Sequence, residues 1–169
     1  QPTAEAPVPQ PLAGVRILDL SRLLPGPMSS WYLMGLGAQV VRVEHPSHPD
    51  YMRFVPPMTD SGIGAWFHAV NAGKKSIALN LKDPADRETL LALLPHFDVL
   101  LESFRPGVMA RLGLEPSMLR ERFPRLIIAS ISGFGQDGPM RLAPGHDLGY
   151  RALAGTMAVG PRDDAGLPG

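Results

Sequence analysis

A short apolar, β-leaning run over residues 15–20 is followed by Pro25-Gly26-Pro27, a helix-like stretch over 28–36, Gly37 and a second β-leaning run over 40–44. That succession constrains the fold more than any other feature. Strand, proline–glycine turn, helix, glycine and strand in this order make a βαβ unit, which implies parallel strands joined by a right-handed crossover. Residues 76–81 read as the next strand. Asp83 then suits an N-cap with Pro84 at the first helical position, and Leu90, Leu91, Leu93 and Leu94 supply the buried face of the helix that follows. Residues 98–103 and 126–132 read as further strands, separated by short helical pieces over 108–111 and 116–122. The expected fold class is therefore α/β, a Rossmann-like, open, mostly parallel sheet with helices on both faces.

Between 45 and 73 no steady period survives, while prolines, glycines and the aromatics Tyr51, Phe54, Trp66 and Phe67 accumulate, as in a long functional loop with one short helix at most. The 169 residues, 44% of them hydrophobic, suit one domain with a real core. Residues 1–11 are rich in proline and alanine and lack both a basic n-region and an apolar h-region, so they read as a flexible leader and leave 12–169 as the folded portion. The final stretch, 160–169, including Asp163 and Asp164 as solvated turn residues, reads as a connection to a further element, so the fold is expected to be incomplete. Sixteen basic residues balance sixteen acidic ones without forming a stripe, which argues against nucleic acid as the partner. No apolar run approaches the roughly 18 residues of a membrane span. The absence of cysteine removes disulfides, thiolate catalysis and Cys-ligated metal, and fits a cytoplasmic setting.

His146 lies in the turn Ala143-Pro144-Gly145-His146-Asp147-Leu148-Gly149-Tyr150, directly after a strand-like run, where α/β folds place their chemistry. An imidazole with an ordinary pKa near 6.5 suits general acid or base work at neutrality; the alternative is a histidine merely packed in a loop. Asp147 is a turn-former or an orienting partner. Arg105 and Arg111 flank Pro106-Gly107 at the start of a short helix, where guanidinium groups and backbone amides could hold phosphates; the alternative is a pair of surface arginines. Lys74 and Lys75 precede a strand and would otherwise be solvated charges. No G-x-G-x-x-G follows the first strand, so a nicotinamide cofactor is not expected. The absence of HExxH and of G-x-S-x-G removes the usual signs of a zinc protease and a serine hydrolase, and nothing calls for a metal.

The Gly-His-Asp turn, together with Leu101-Glu102-Ser103-Phe104-Arg105-Pro106-Gly107-Val108-Met109 and Ala13-Gly14-Val15-Arg16-Ile17-Leu18-Asp19-Leu20-Ser21, resembles the class III CoA-transferase family, the CaiB/BaiF type, and within it the branch of the α-methylacyl-CoA racemases. The resemblance runs from Pro11 to Gly169 and covers about the first half of a family member. It implies an acyl-CoA thioester as substrate, no separate cofactor, and His146 exchanging the proton on one face of the thioester α-carbon. An aspartate serving the opposite face would lie beyond residue 169. It also implies CoA or substrate contacts at His45, Leu79, Asn80, Leu81, Lys82, Arg105, Arg111, Gly145, Asp147 and Tyr150, and on the nucleotide side at Lys74 and Lys75. His45 stands where the family has an arginine, and Gly149 where it has an asparagine. Family members form interlocked dimers, so a homodimer or association with a C-terminal half is implied. Two other readings stay open: transfer of CoA between carboxylic acids, and a non-catalytic fragment that binds CoA or a partner chain.

Overall fold

The computed structural model describes residues 9–159 together with Asp164 and Gly166. The leader expected over 1–11 lies outside these as far as residue 8. So does the terminal connection apart from Asp164 and Gly166, and Asp163 is therefore outside them. The chain forms two compact units that meet between Ile131 and Ser132.

The first unit is a sheet of five strands, all parallel: β1 (Arg16–Asp19), β2 (Gln39–Glu44), β3 (Lys75–Ala78), β4 (Val99–Glu102) and β5 (Ile127–Ser130), in the spatial order β3-β2-β1-β4-β5. The order reverses beside β1, which makes the carboxyl ends of β1 and β4 the switch point where open α/β sheets open a crevice. Alternation along the strands divides the apolar residues between two faces. One face joins Leu18, Leu20, Val43 and Leu100 to Leu90 and Leu91 of α3 (Pro84–Leu93), Met109 of α4 (Val108–Arg111) and Leu119 of α5 (Pro116–Arg122). The other is smaller: Ile17, Val40 and Leu101 pack with Ala38 and with Leu33 and Met34 of α1 (Pro25–Gly35). Helices thus cover both faces, as the sequence leads one to expect.

The local signals held best where chemistry and position coincide. Asp83 caps α3 by accepting the Ala85 N–H at 2.8 Å, with Pro84 behind it. Leu90 and Leu91 are buried, and Leu94 is buried in the 3₁₀ turn Leu94–His96. Three expectations need correction. Pro25-Gly26-Pro27 does not break the chain but forms the first turn of α1, because a proline there removes only N–H groups that the helix cannot use. The strand expected over 76–81 ends at Ala78; Asn80 and Asp86 bend the chain away, with Lys82 N donating to Asn80 Oδ1 and Asn80 N to Asp86 Oδ2. The 45–73 segment holds two short helices, the 3₁₀ turn Tyr51–Phe54 and α2 (Ala65–Asn71). On α1, polar Ser30 is buried while Trp31, Tyr32 and Leu36 are exposed, as are Tyr51, Phe54 and Trp66 in that segment.

The second unit carries α6 (Asp147–Leu153) and a 3₁₀ turn, Thr156–Ala158. The residues expected as a turn around His146 are therefore a helix start, with His146 as the N-cap residue in extended backbone (φ −136°, ψ 172°). No helix among the described residues is long and apolar enough to cross a membrane.

Candidate functional site

A cavity of about 630 Å³ opens along the carboxyl edge of the sheet. Its walls come from the segments that leave four neighbouring strands: Leu20 and Arg22 after β1, Glu44, His45 and His48 at the end of β2, Leu79, Asn80, Leu81 and Lys82 after β3, and Phe104, Val108 and Leu112 after β4. Much of the lining is aliphatic or aromatic, and its volume suits a drug-sized or cofactor-sized ligand. Five residues expected to touch CoA line this one cavity: His45, Leu79, Asn80, Leu81 and Lys82. Two do not. Arg105 and Arg111 are exposed near α4, outside the wall that Phe104, Val108 and Leu112 form. Among the described residues neither guanidinium has an ion-pair or hydrogen-bond partner.

The charge balance of the cavity follows from who is already paired. Glu44 receives a two-pronged grip from Arg53, Nε at 2.9 Å and Nη2 at 2.7 Å, and accepts Asp50 N–H at 2.8 Å. Burial opposes its ionisation, but these donors and the Arg42 charge outweigh it and hold the carboxyl below its ordinary value. Arg22 and Lys82 are exposed and have no carboxylate partner among the described residues, so the site carries unpaired positive charge. His45 faces the same space. Its Nδ1 accepts N–H from Ser47 and His48, each at 3.1 Å, so that nitrogen serves as an acceptor, and the His48 ring packs edge-on with centroids 4.6 Å apart.

Arg42 and Glu44, at the cavity wall, also belong to a buried ionic network. Asp19, at the end of β1, is fully buried and accepts hydrogen bonds from Ser21, Ser30 and Lys74. The Lys74 ammonium also donates to Pro27 O at 2.8 Å, Ser30 Oγ at 2.8 Å and Asn71 Oδ1 at 3.1 Å. Burial dominates its titration and, despite Asp19, pushes its pKa down to about 8. Lys74 is thus not the solvated charge that its place before a strand offers as the alternative reading: its side chain is 1% exposed. Arg42 continues the network through Asn71 Oδ1 (2.8 Å) and Asp50 Oδ2 (2.9 Å), and its guanidinium lies over the Phe67 ring. Its Nε, 3.8 Å from Glu44, makes no hydrogen bond among the described residues. Nothing in the sequence marks Asp19, Arg42, Asp50 and Lys74 as partners. Their spacing is too long for any local pattern.

The start of α1 occupies the place where a dinucleotide fold cradles pyrophosphate on backbone amides. Here Pro25 and Pro27 lack N–H groups, no side chain caps the helix, and a Cβ on Gly26 would fall 2.2 Å from Ser21 Cβ. That end is closely packed, and no residue of α1 lines the cavity.

In the second unit, His146 is exposed and its side chain has no hydrogen bond among the described residues. Asp147 is in the first turn of α6, 3.9 Å from Arg151 one turn on, and is not an orienting partner for His146. The Tyr150 ring slots against two glycines: a Cβ would come within 2.4 Å of it at Gly145 and 2.2 Å at Gly133. Phe134 meets it edge-on at 5.4 Å. Among the described residues no group of three or more histidines or carboxylates could hold a metal.

Comparison with known proteins shows the family. The model of CoA-transferase family III matches residues 12–167. The chain is 44% identical over 148 residues to an acetyl-CoA:oxalate CoA-transferase of Acetobacter aceti, covering 87% of this chain and 38% of that protein. It is 40% identical over 148 residues to a human α-methylacyl-CoA racemase, covering 87% and 35%. A crystal structure of a CAIB/BAIF family protein from Brucella suis superposes with a TM-score of 0.87 at 34% identity, over 96% of this chain and 43% of that one. The chain thus spans well under half the length of these relatives.

Proposed function

The chain belongs to CoA-transferase family III, and we propose that the protein it forms acts on acyl-CoA thioesters, with the CoA held in the carboxyl-edge cavity and no separate cofactor. One observation carries this reading: the cavity joins apolar walls to two unneutralised cations, Arg22 and Lys82, at the sheet's switch point, as an amphipathic, polyanionic ligand requires. For the chemistry, we infer epimerisation of a 2-methylacyl-CoA through an enolate. Inverting a carbon acid needs a proton removed from one face and delivered to the other. His146 would be one proton-transfer residue, since an exposed imidazole without a protein partner is free to meet the α-carbon. The opposite-face carboxylate would lie outside this chain.

Transfer of CoA between carboxylic acids is the second reading, favoured by the transferase names of several relatives, the Acetobacter protein among them. One experiment separates the two. In a preparation that also supplies the opposite-face carboxylate, incubation with a 2-methylacyl-CoA in deuterium oxide should give α-deuteration and inversion without loss of the thioester. Movement of CoA to added oxalate, succinate or glutarate, with no α-exchange, would replace epimerisation by transfer. Absence of both, with no binding of CoA, would remove the acyl-CoA reading.

A further inference from the structure

We propose that Arg22 is a phosphate contact of the cavity and that Asp50 is the positioning residue that presents it, through a left-handed turn at Leu23. The inference rests on the reading of the cavity as a CoA site. It starts from Leu23, the one non-glycine residue with positive φ among the described residues, at +67°. A γ-branched side chain gains nothing from that conformation, so something else must hold it. Asp50 does. Fully buried, it accepts the Leu23 N–H at 2.8 Å and the Arg42 guanidinium at 2.9 Å on Oδ2, and the Met52 N–H at 3.1 Å on Oδ1.

The residue just before the turn is fixed from two further directions. Arg22 N–H donates to Ser103 Oγ at 3.0 Å, after β4, and its Nη2 donates to Pro49 O at 3.2 Å, beside Asp50. Three segments of the carboxyl edge therefore converge on one arginine. Arg22 lines the cavity, and its guanidinium keeps its remaining donors uncommitted among the described residues. The nearest wall carboxylate, Glu44, is already held by Arg53. The uncommitted donors of the Arg22 guanidinium are therefore placed to meet a phosphate oxygen in the cavity.

The test is titration of CoA and of pantetheine, which lacks phosphate, into wild type and variants. Arg22→Ala should weaken CoA roughly tenfold to a hundredfold, the range for a lost charged hydrogen bond, and leave pantetheine unchanged. Arg22→Lys should recover part of the loss. Asp50→Asn should weaken CoA selectively in the same way, and adding Leu23→Gly, which makes the left-handed turn free of side-chain strain, should restore affinity to Asp50→Asn. A residue that merely supports the fold would show no such rescue. Unchanged CoA affinity in Arg22→Ala would overturn the contact while leaving the CoA reading intact. Failure of Leu23→Gly to restore binding would overturn the positioning role of Asp50. Wild type that binds no CoA would overturn both, together with the reading beneath them.

Discussion

The Lys74 ammonium sits 3.3 Å from the Asp19 carboxylate, both side chains out of solvent, at the carboxyl end of the strand that centres the sheet. Removing one partner of such a pair leaves a bare charge in a medium of low polarity. Lys74→Met should therefore cost about 3–5 kcal/mol of stability, read from urea unfolding. Adding Asp19→Asn should return part of it. Equal stability of wild type and Lys74→Met would show that Ser21 and Ser30 alone satisfy Asp19.

The same lysine sets an alkaline trend. Its pKa falls from 10.5 to about 8 on folding, chiefly through burial, so between those values the unfolded chain binds a proton that the folded chain has released. Stability contributed by this group must then rise with pH from about 8 to about 10.5. Melting temperatures across that window, compared between wild type and Lys74→Met, should show a wild-type advantage that grows with pH. A shrinking difference would contradict the assignment.

Gly145 makes room for an aromatic ring. A methyl group there would meet Tyr150 Cε1 at 2.4 Å, so Gly145→Ala should cost about 1–3 kcal/mol, the range for overpacking, and perturb the near-ultraviolet circular dichroism of tyrosine. Tyr150→Ala in the same chain should relieve the clash. If Gly145→Ala matched wild type in both measurements, the slot would be looser than its geometry indicates.

His146→Ala should lower the rate of α-proton exchange about 10² to 10⁴-fold in a preparation that catalyses it, with little change in CoA affinity. Unaltered exchange would take His146 out of the chemistry.

How far the sequence could be read depended on distance along the chain. The Asp83–Pro84 cap and the helices at 108–111 and 116–122 are local signals, and the structure shows each where it is expected. Residues 79–82 were expected together at a CoA site through family resemblance, and the turn made by Asn80 and Asp86 does put them on one wall. The buried ionic network was illegible because charged residues ordinarily read as solvated, and its members lie as far apart as Asp19 and Lys74. The prolines of α1 misled because a break and a first turn share the same residues.

Those prolines have a further consequence. Where a helix amino terminus grips phosphate, the donors are main-chain amides, which among substitutions only one to proline deletes. With Pro25 and Pro27 in that place and no residue of α1 on the cavity wall, a CoA phosphate held as proposed would be gripped by residues such as Arg22 and Lys82, each removable by a single codon change. On that proposal, preference among anionic ligands drifts position by position without disturbing the backbone that supports it.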